Sequence, residues 1–259
     1  MAEWLAFVAA LSQAQHVAVT TLPALSPIEQ TSGSAPPLSA DKHRRNPAWR
    51  DGLFAIFDAF DGSFLSGPAR GLITDVQHYS TEKIDDLADK FLGGTLQVDE
   101  VGAAFYIAAA LQVYFTRLAG LDRSELRLQP TRGICPCCGS TPVAGVITAS
   151  GSTPGSRYLH CSLCSTAWNH VRAICITCGG SGGLSLKGIE GDNGAVKAET
   201  CDDCRTYSKM LYQAKDMSVD PYADDFASMG LDLLVAEAGW VRHAPNPLLL
   251  IAQATETRF

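Results

Sequence analysis

Nine cysteines lie between positions 135 and 204 of this 259-residue chain, and eight of them form C-x-x-C pairs. The four pairs are Cys135/Cys138, Cys161/Cys164, Cys175/Cys178 and Cys201/Cys204. Twenty-two residues separate the first pair from the second, and twenty-two separate the third from the fourth. The whole arrangement therefore repeats with a period of forty residues.

This spacing is typical of a metal site made of four thiolates. Two residues between the cysteines let both sulfurs of a tight turn reach one ion, and a hairpin can bring a second such turn opposite the first. Four thiolates leave no open coordination position, which indicates a structural site, and tetrahedral sulfur suits zinc and iron equally. The sequence predicts two metal ions, zinc or iron. The predicted ligands are Cys135, Cys138, Cys161 and Cys164 in one site, and Cys175, Cys178, Cys201 and Cys204 in the other.

The pattern gives less support to other uses of these residues. A thioredoxin-like redox pair is disfavoured by the regular tandem of four pairs, and a cross-braced arrangement is disfavoured by the strict repeat. Cys137 lies between two ligands and is interpreted as a spacer, the alternative being an exposed thiol that replaces a ligand or is oxidised. His160 and His170 flank the pairs but are not needed as ligands, so surface positions are expected for both.

Each forty-residue unit reads as a small β-hairpin carrying the two cysteine turns. A β-prone run follows the first turn of each unit, a glycine-containing turn comes next, and a third strand leaves the second cysteine pair. The predicted outer strands are Pro142–Thr148 and Trp168–Ala173 in the first unit, and Leu184–Glu190 and Thr206–Tyr212 in the second. This is the plan of a rubredoxin-like or zinc-ribbon unit, made twice. A unit this small has little core of its own, and metal binding would supply the missing stability.

Helical periodicity dominates the chain on both sides of the ribbons. The predicted helices are Glu3–Thr20, Trp49–Phe60, Thr81–Leu92, a long apolar helix between an Asp99 cap and a stop at Gly120, and Tyr222–Ala238. The apolar run Leu248–Ile251 is expected to pack on the core. The fold class is therefore α+β: a mostly helical domain at 1–128, ribbons at 129–170 and 171–213, and a C-terminal helix and tail at 214–259 that pack back.

Composition excludes some partners. The formal net charge is −7, and two four-thiolate sites would bring it to about −11, so neither nucleic acid nor an anionic membrane is an expected partner. The apolar stretch Val101–Thr116 has only sixteen residues where a membrane span needs about 20, so a buried core helix is expected. Glu3 stands where an export signal has a basic flank, which favours a cytoplasmic protein with reduced thiols.

Several segments match one known family: Cys135–Val143, Arg157–Cys164, Ile107–Leu118, Ala223–Ala227, Leu231–Leu234 and Pro245–Leu249. They resemble the formate dehydrogenase accessory protein family FdhE. The resemblance covers most of the chain from about residue 100 onward, whereas the first hundred residues match only in helical character. The sequence departs from the family at Ala167-Trp168-Asn169, where relatives tend to have Glu-Trp-His, and at Cys137.

The resemblance implies a cytoplasmic assembly factor that is not itself an enzyme. Such a protein would bind the catalytic subunit of respiratory formate dehydrogenase before its export, with the two metal sites as rigid supports. The alternatives are a nucleic-acid-binding zinc ribbon and a rubredoxin-like iron or thiol redox protein. The sequence predicts no particular oligomeric state.

Overall fold

The computed structural model describes residues 2–26, 35–121, 126, 133–151, 153–244 and 246–252. The chain divides into two compact units. A helical unit comprises Met1–Thr31, Pro37–Ser124 and Pro247–Phe259, and a sheet unit comprises Ser32–Pro36 and Glu125–Asn246. The N-terminal helical part, followed by a sheet region with both cysteine clusters, confirms the predicted α+β class.

The helical unit is built around one long apolar helix. Its helices are α1 (Ala2–Thr21), α2 (Trp49–Ala59), α3 (Gly67–Gln77), α4 (Thr81–Gly93) and α5 (Val101–Leu121), with 3₁₀ turns at Val98–Glu100 and Pro247–Ala252. Helix α5 packs against the other four helices and against the Pro247–Ala252 turn. Leu248 is buried, which confirms that part of the predicted packing of the apolar tail.

Helix α5 is the core helix that the sequence predicts. Among the described residues, Val98–Leu121 is the one segment long and apolar enough to cross a membrane, and 72% of its apolar window is buried inside the protein. Its aromatic residues Phe105, Tyr114 and Phe115 are almost completely inaccessible to solvent. The apolar character of α5 is therefore explained by packing, since a protein core needs the same residues.

Three details of the helical predictions are wrong. Helix α3 was not predicted, because Gly67, Pro68 and Gly71 in its first half are weak helix formers and Val76 is its one buried residue. Asp99 does not cap α5; a 3₁₀ turn precedes that helix, and Gln97 and Glu100 form a capping box there. The predicted helix Tyr222–Ala238 breaks at Ser228 into α6 (Ala223–Ala227) and α7 (Met229–Glu237).

The sheet unit contains seven strands in one sheet. They are β1 (Pro142–Ile147), β2 (Arg157–Cys161), β3 (Ala167–His170), β4 (Leu184–Lys187), β5 (Val196–Cys201), β6 (Thr206–Tyr212) and β7 (Val241–Arg242). The order across the sheet is β3-β2-β1-β6-β5-β4, and β7 pairs with β6. Strands β1–β3 and β4–β6 are the two predicted ribbons, each an antiparallel meander.

The two ribbons are joined into one sheet, which the sequence did not predict. The first strand of one ribbon, β1, runs parallel to the last strand of the other, β6, with Gly145 opposite Met210. A Cβ atom at Gly145 would lie 2.6 Å from the Met210 Sδ atom. Glycine at this central position therefore leaves room for the methionine side chain to pack across the junction.

Helices α6 and α7 pack on the second ribbon. Leu231 and Val235 of α7 form an apolar cluster with Ala198 and Tyr207 of the sheet. Beside it, the completely buried Asp225 of α6 forms ion pairs with Lys209 of β6 and Arg242 of β7. Loss of either basic partner would leave a buried charge without full compensation. The C-terminal helix pair is thus attached to the strand that joins the ribbons.

Candidate metal centres

The structure brings the eight paired cysteines together in two groups of four. The first group is Cys135, Cys138, Cys161 and Cys164, the second is Cys175, Cys178, Cys201 and Cys204, and within each group all sulfur atoms lie within 4.8 Å of one another. The first cysteine pair lies next to the second, and the third lies next to the fourth. This is the sequential arrangement that the repeat favoured, and not the cross-braced one.

The sulfur geometry fits a tetrahedral ion. The Sγ–Sγ distances are 3.6 Å for Cys135–Cys164 and 3.4 Å for Cys138–Cys161. In the second group, Cys175–Cys204 and Cys178–Cys201 are 3.7 and 3.8 Å apart. Metal–sulfur distances of about 2.3 Å give tetrahedral edges of about 3.8 Å, so either group could hold one zinc or iron ion with little adjustment.

The backbone at each cysteine pair adopts the left-handed conformation at the residue that follows it. Gly139 and Gly179 have φ angles of +80° and +75°, and Ser165 and Arg205 have φ angles of +58° and +57°. This turn directs backbone N–H groups at the sulfurs, as in the 3.5 Å hydrogen bond from the Gly180 amide to Cys178 Sγ. Such donors stabilise the negative charge of a thiolate before any ion binds.

A threonine hydroxyl contacts one sulfur of each group. Thr166 Oγ1 lies 3.1 Å from Cys164 Sγ, and Thr206 Oγ1 lies 3.0 Å from Cys204 Sγ. Neither threonine was predicted as a site residue, although each lies two residues after the last cysteine of its unit and so forms part of the repeat. They are candidate supporting residues, which orient a ligand without binding the ion.

In the second group this contact extends outward as a chain of hydrogen bonds. Thr206 Oγ1 donates to Thr177 Oγ1 over 2.8 Å, and Thr177 Oγ1 lies 2.8 Å from His243 Nδ1. Burial opposes ionisation of Cys204, but contacts with Thr206, Cys178 and Cys201 outweigh it and lower the pKa of the Cys204 thiol to about 7. The thiolate of this ligand is therefore accessible at neutral pH.

Charge is concentrated on one sulfur of the first group. Hydrogen bonds from Cys135 and the neighbouring thiols lower the pKa of Cys164. Contact with Cys135 raises the pKa of Cys138, and burial raises that of Cys161. Ionisation is therefore easier at Cys164 than at Cys138 or Cys161. A cation that binds here displaces any protons that its thiol ligands carry.

The interpretation of Cys137 as a spacer agrees with the structure, whereas the surface position expected for His170 is wrong. Cys137 is only 2% exposed, and a hydrogen bond with Cys164, together with burial, raises the pKa of its thiol. It is therefore a packed spacer and not an exposed reactive thiol. His170 is also buried, with a pKa lowered by that burial, and its Nδ1 atom lies 2.8 Å from Arg157. Neither histidine belongs to a four-cysteine group.

A buried arginine connects the two ribbons that carry these groups. Arg157 of β2 is 1% exposed and forms a 2.6 Å ion pair with Glu199 of β5. It also donates to the carbonyl oxygen of Ile174, just before the third cysteine pair, over 2.7 Å. The spacing between the two metal centres is therefore supported by a fully desolvated, multiply bonded side chain.

Comparison with protein-family models assigns nearly the whole chain to one family. The family model "FdhE, N-terminal" matches residues 1–130, "FdhE, central domain" matches 134–172 and "FdhE, C-terminal domain" matches 173–249. The chain belongs to the FdhE family. FdhE membership therefore extends to the N-terminal hundred residues, whose resemblance to the family was limited to their helical character.

Individual FdhE proteins support the assignment. Protein FdhE of Escherichia coli (strain K12) is 34% identical over 256 residues, which cover 96% of this chain and 82% of that protein. Protein FdhE of Escherichia coli O1:K1 / APEC gives the same identity and coverage. The crystal structure of the FdhE protein from Pseudomonas aeruginosa matches with a TM-score of 0.82 at 31% identity, over 93% of this chain and 87% of that one.

Proposed function

We propose that this protein is a cytoplasmic accessory factor for the maturation of respiratory formate dehydrogenase, and that it catalyses no reaction itself. It binds the catalytic subunit of that enzyme before export. Membership of the FdhE family over nearly the whole chain carries this proposal. Each group offers four sulfur ligands, which would fill every position around a tetrahedral ion. This favours a structural role over catalysis, because a hydrolytic metal site keeps one coordination position free.

The eight paired cysteines are proposed as ligands of two structural metal ions, zinc or iron. Cys135, Cys138, Cys161 and Cys164 belong to the ribbon at 129–170, and Cys175, Cys178, Cys201 and Cys204 to the ribbon at 171–213. The helical domain at 1–128 and the C-terminal segment at 214–259 complete the proposed division. The ions cross-link hairpins that are too small to be stabilised by an apolar core alone.

An anaerobic pull-down of the tagged protein from its own cells tests both proposals. Co-purifying proteins are identified by mass spectrometry, and metals are counted in the same eluate. We expect a formate dehydrogenase catalytic subunit and two ions per chain with the wild type. A Cys135→Ser, Cys175→Ser variant should lose both, because each group is then left with three thiolates.

The matched control is Cys137→Ser, which removes the one cysteine that lies outside both groups. It should keep both ions and the partner. Retention of nucleic acid in place of the enzyme subunit would contradict the accessory role. A visible absorption band that bleaches reversibly on reduction, with no protein partner, would favour a rubredoxin-like redox protein instead.

A further inference from the structure

The two four-cysteine groups have similar sulfur geometry but different access to solvent. All four cysteines of the first group are buried. In the second group Cys178 is exposed and Cys204 is partly exposed. An ion in the first group would be surrounded by protein, whereas one in the second would have a sulfur ligand facing water. The rest of each turn reinforces this difference.

The turns of the first group are covered and fixed. Leu163, between two of its cysteines, is 3% exposed. The neighbouring Ser162 donates to the Thr141 carbonyl oxygen from both its hydroxyl, over 2.8 Å, and its amide, over 3.1 Å. The Tyr222 hydroxyl donates to the Cys161 carbonyl oxygen over 2.8 Å. Opening this group requires several such bonds to break together.

The turns of the second group are thinly covered and bear acidic residues. The residues between its cysteines include Thr177, Asp202 and Asp203, all exposed. The run Gly179-Gly180-Ser181-Gly182-Gly183 follows Cys178, and a Cβ atom at Gly182 would meet nothing within 4 Å. Two carboxylates beside an exposed sulfur attract incoming cations. The loop keeps backbone hydrogen bonds to both turns, from the Cys175 amide to Gly180 and from the Asp202 amide to Gly183, but its Ser181-Gly182 tip is exposed to solvent.

We propose that the second group is an exchangeable metal site, which gives up and takes up its ion while the first group keeps its own. In exchange, the nitrogen or oxygen donors of a small chelator replace the four metal–sulfur bonds one at a time. The released thiolates remain ionised or take protons from water, and no oxidant or reductant is involved. This inference rests on the proposed metal ligands.

The test follows the release of zinc from the full-length, zinc-loaded protein into excess 4-(2-pyridylazo)resorcinol at neutral pH under anaerobic conditions. We expect two phases of equal amplitude, one ion each, that differ in rate by roughly tenfold or more because solvent access differs. N-ethylmaleimide added during the fast phase should label Cys175, Cys178, Cys201 and Cys204. It should spare Cys135, Cys137, Cys138, Cys161 and Cys164.

Two variants assign the phases. Cys178→Ser should remove the fast phase and leave the slow one, and Asp202→Asn, Asp203→Asn should slow the re-uptake of zinc by the emptied second group alone. Release of both ions at one rate, or maleimide labelling of both groups together, would overturn the inference while leaving the metal ligands in place. Fewer than two zinc ions per chain before the chelator is added would overturn the ligand proposal itself.

Discussion

At the scale of single residues, Arg157 makes several hydrogen bonds that connect the two ribbons. It lies buried between the two ribbons, where its guanidinium group satisfies Glu199, His170 and backbone carbonyl groups at once. Burial lowers the pKa of Arg157 and raises that of Glu199, so desolvation opposes the charge of both partners. Such a pair contributes little net stability as a whole, but the loss of either partner leaves an unpaired buried charge.

We therefore expect Arg157→Met to lower the free energy of unfolding by about 3–5 kcal/mol. Urea denaturation of the metal-loaded protein measures this. Arg172→Met is the control, because Arg172 is exposed and makes one 3.0 Å hydrogen bond to the Gly155 carbonyl oxygen. Its effect should stay within about 0.5 kcal/mol. Equal effects of the two substitutions would show that Arg157 does not fix the ribbons.

A second residue-scale prediction concerns pH. Hydrogen bonding to the Lys90 ammonium group holds the pKa of Glu100 at about 2, below its ordinary value of 4.5. A lowered carboxyl pKa contributes stability that is present above pH 4.5 and lost as the pH falls toward 2. Lys90→Met should move the Glu100 pKa upward, as measured by NMR titration of the side-chain carboxyl carbon.

The control for this titration is Lys83→Met, since Lys83 lies farther from Glu100, at 3.4 Å against 2.6 Å for Lys90. Its effect on the Glu100 pKa should be the smaller one. A Glu100 pKa near 4.5 in the wild type would contradict the ion pair that joins α4 to the start of α5.

At the scale of elements, the cysteine turns and most strands and helices were predicted from local patterns, whereas the pairing between the two ribbons was not. Strand β6 has the predicted bounds Thr206–Tyr212, and the cysteine turns meet as predicted, because both signals lie in short stretches of sequence. The junction of β1 with β6 was not predicted. The pairing of these two strands depends on contacts between residues more than sixty positions apart. The alternation of apolar and polar residues within a strand carries no information about such a partner.

The junction gives a prediction at this scale. Gly145→Ala should lower the free energy of unfolding of the metal-loaded protein by about 1–3 kcal/mol, because the new methyl group overlaps Met210 and Leu159. Thermal or urea denaturation measures the change. Gly188→Ala is the matched control, since a Cβ atom there would meet Lys197 at 3.9 Å, an ordinary contact. A Gly145→Ala protein as stable as the wild type would mean that the junction has spare room.

At the scale of the whole molecule, all nine cysteines belong to the sheet unit and none to the helical unit. The helical core around α5 has its own apolar packing, whereas we expect the sheet unit to depend on the proposed metal ions. Removal of both ions with a strong chelator under mild denaturant should make the ribbons sensitive to protease. The helical part should persist as a fragment with its circular dichroism signal at 222 nm. Simultaneous loss of both parts would contradict this division.

The way β1 meets β6 has a consequence for self-assembly. The first strand of one ribbon pairs with the last strand of the other, and the two outer strands of the sheet, β4 and β3, are again a first and a last strand. If β4 of one chain paired with β3 of another in the way that β1 pairs with β6, the result would be an open-ended polymer. Both outer strands have only four residues, and β4 carries an exposed lysine, Lys187, near its end. Short, charged edges are what keep such a pattern from propagating.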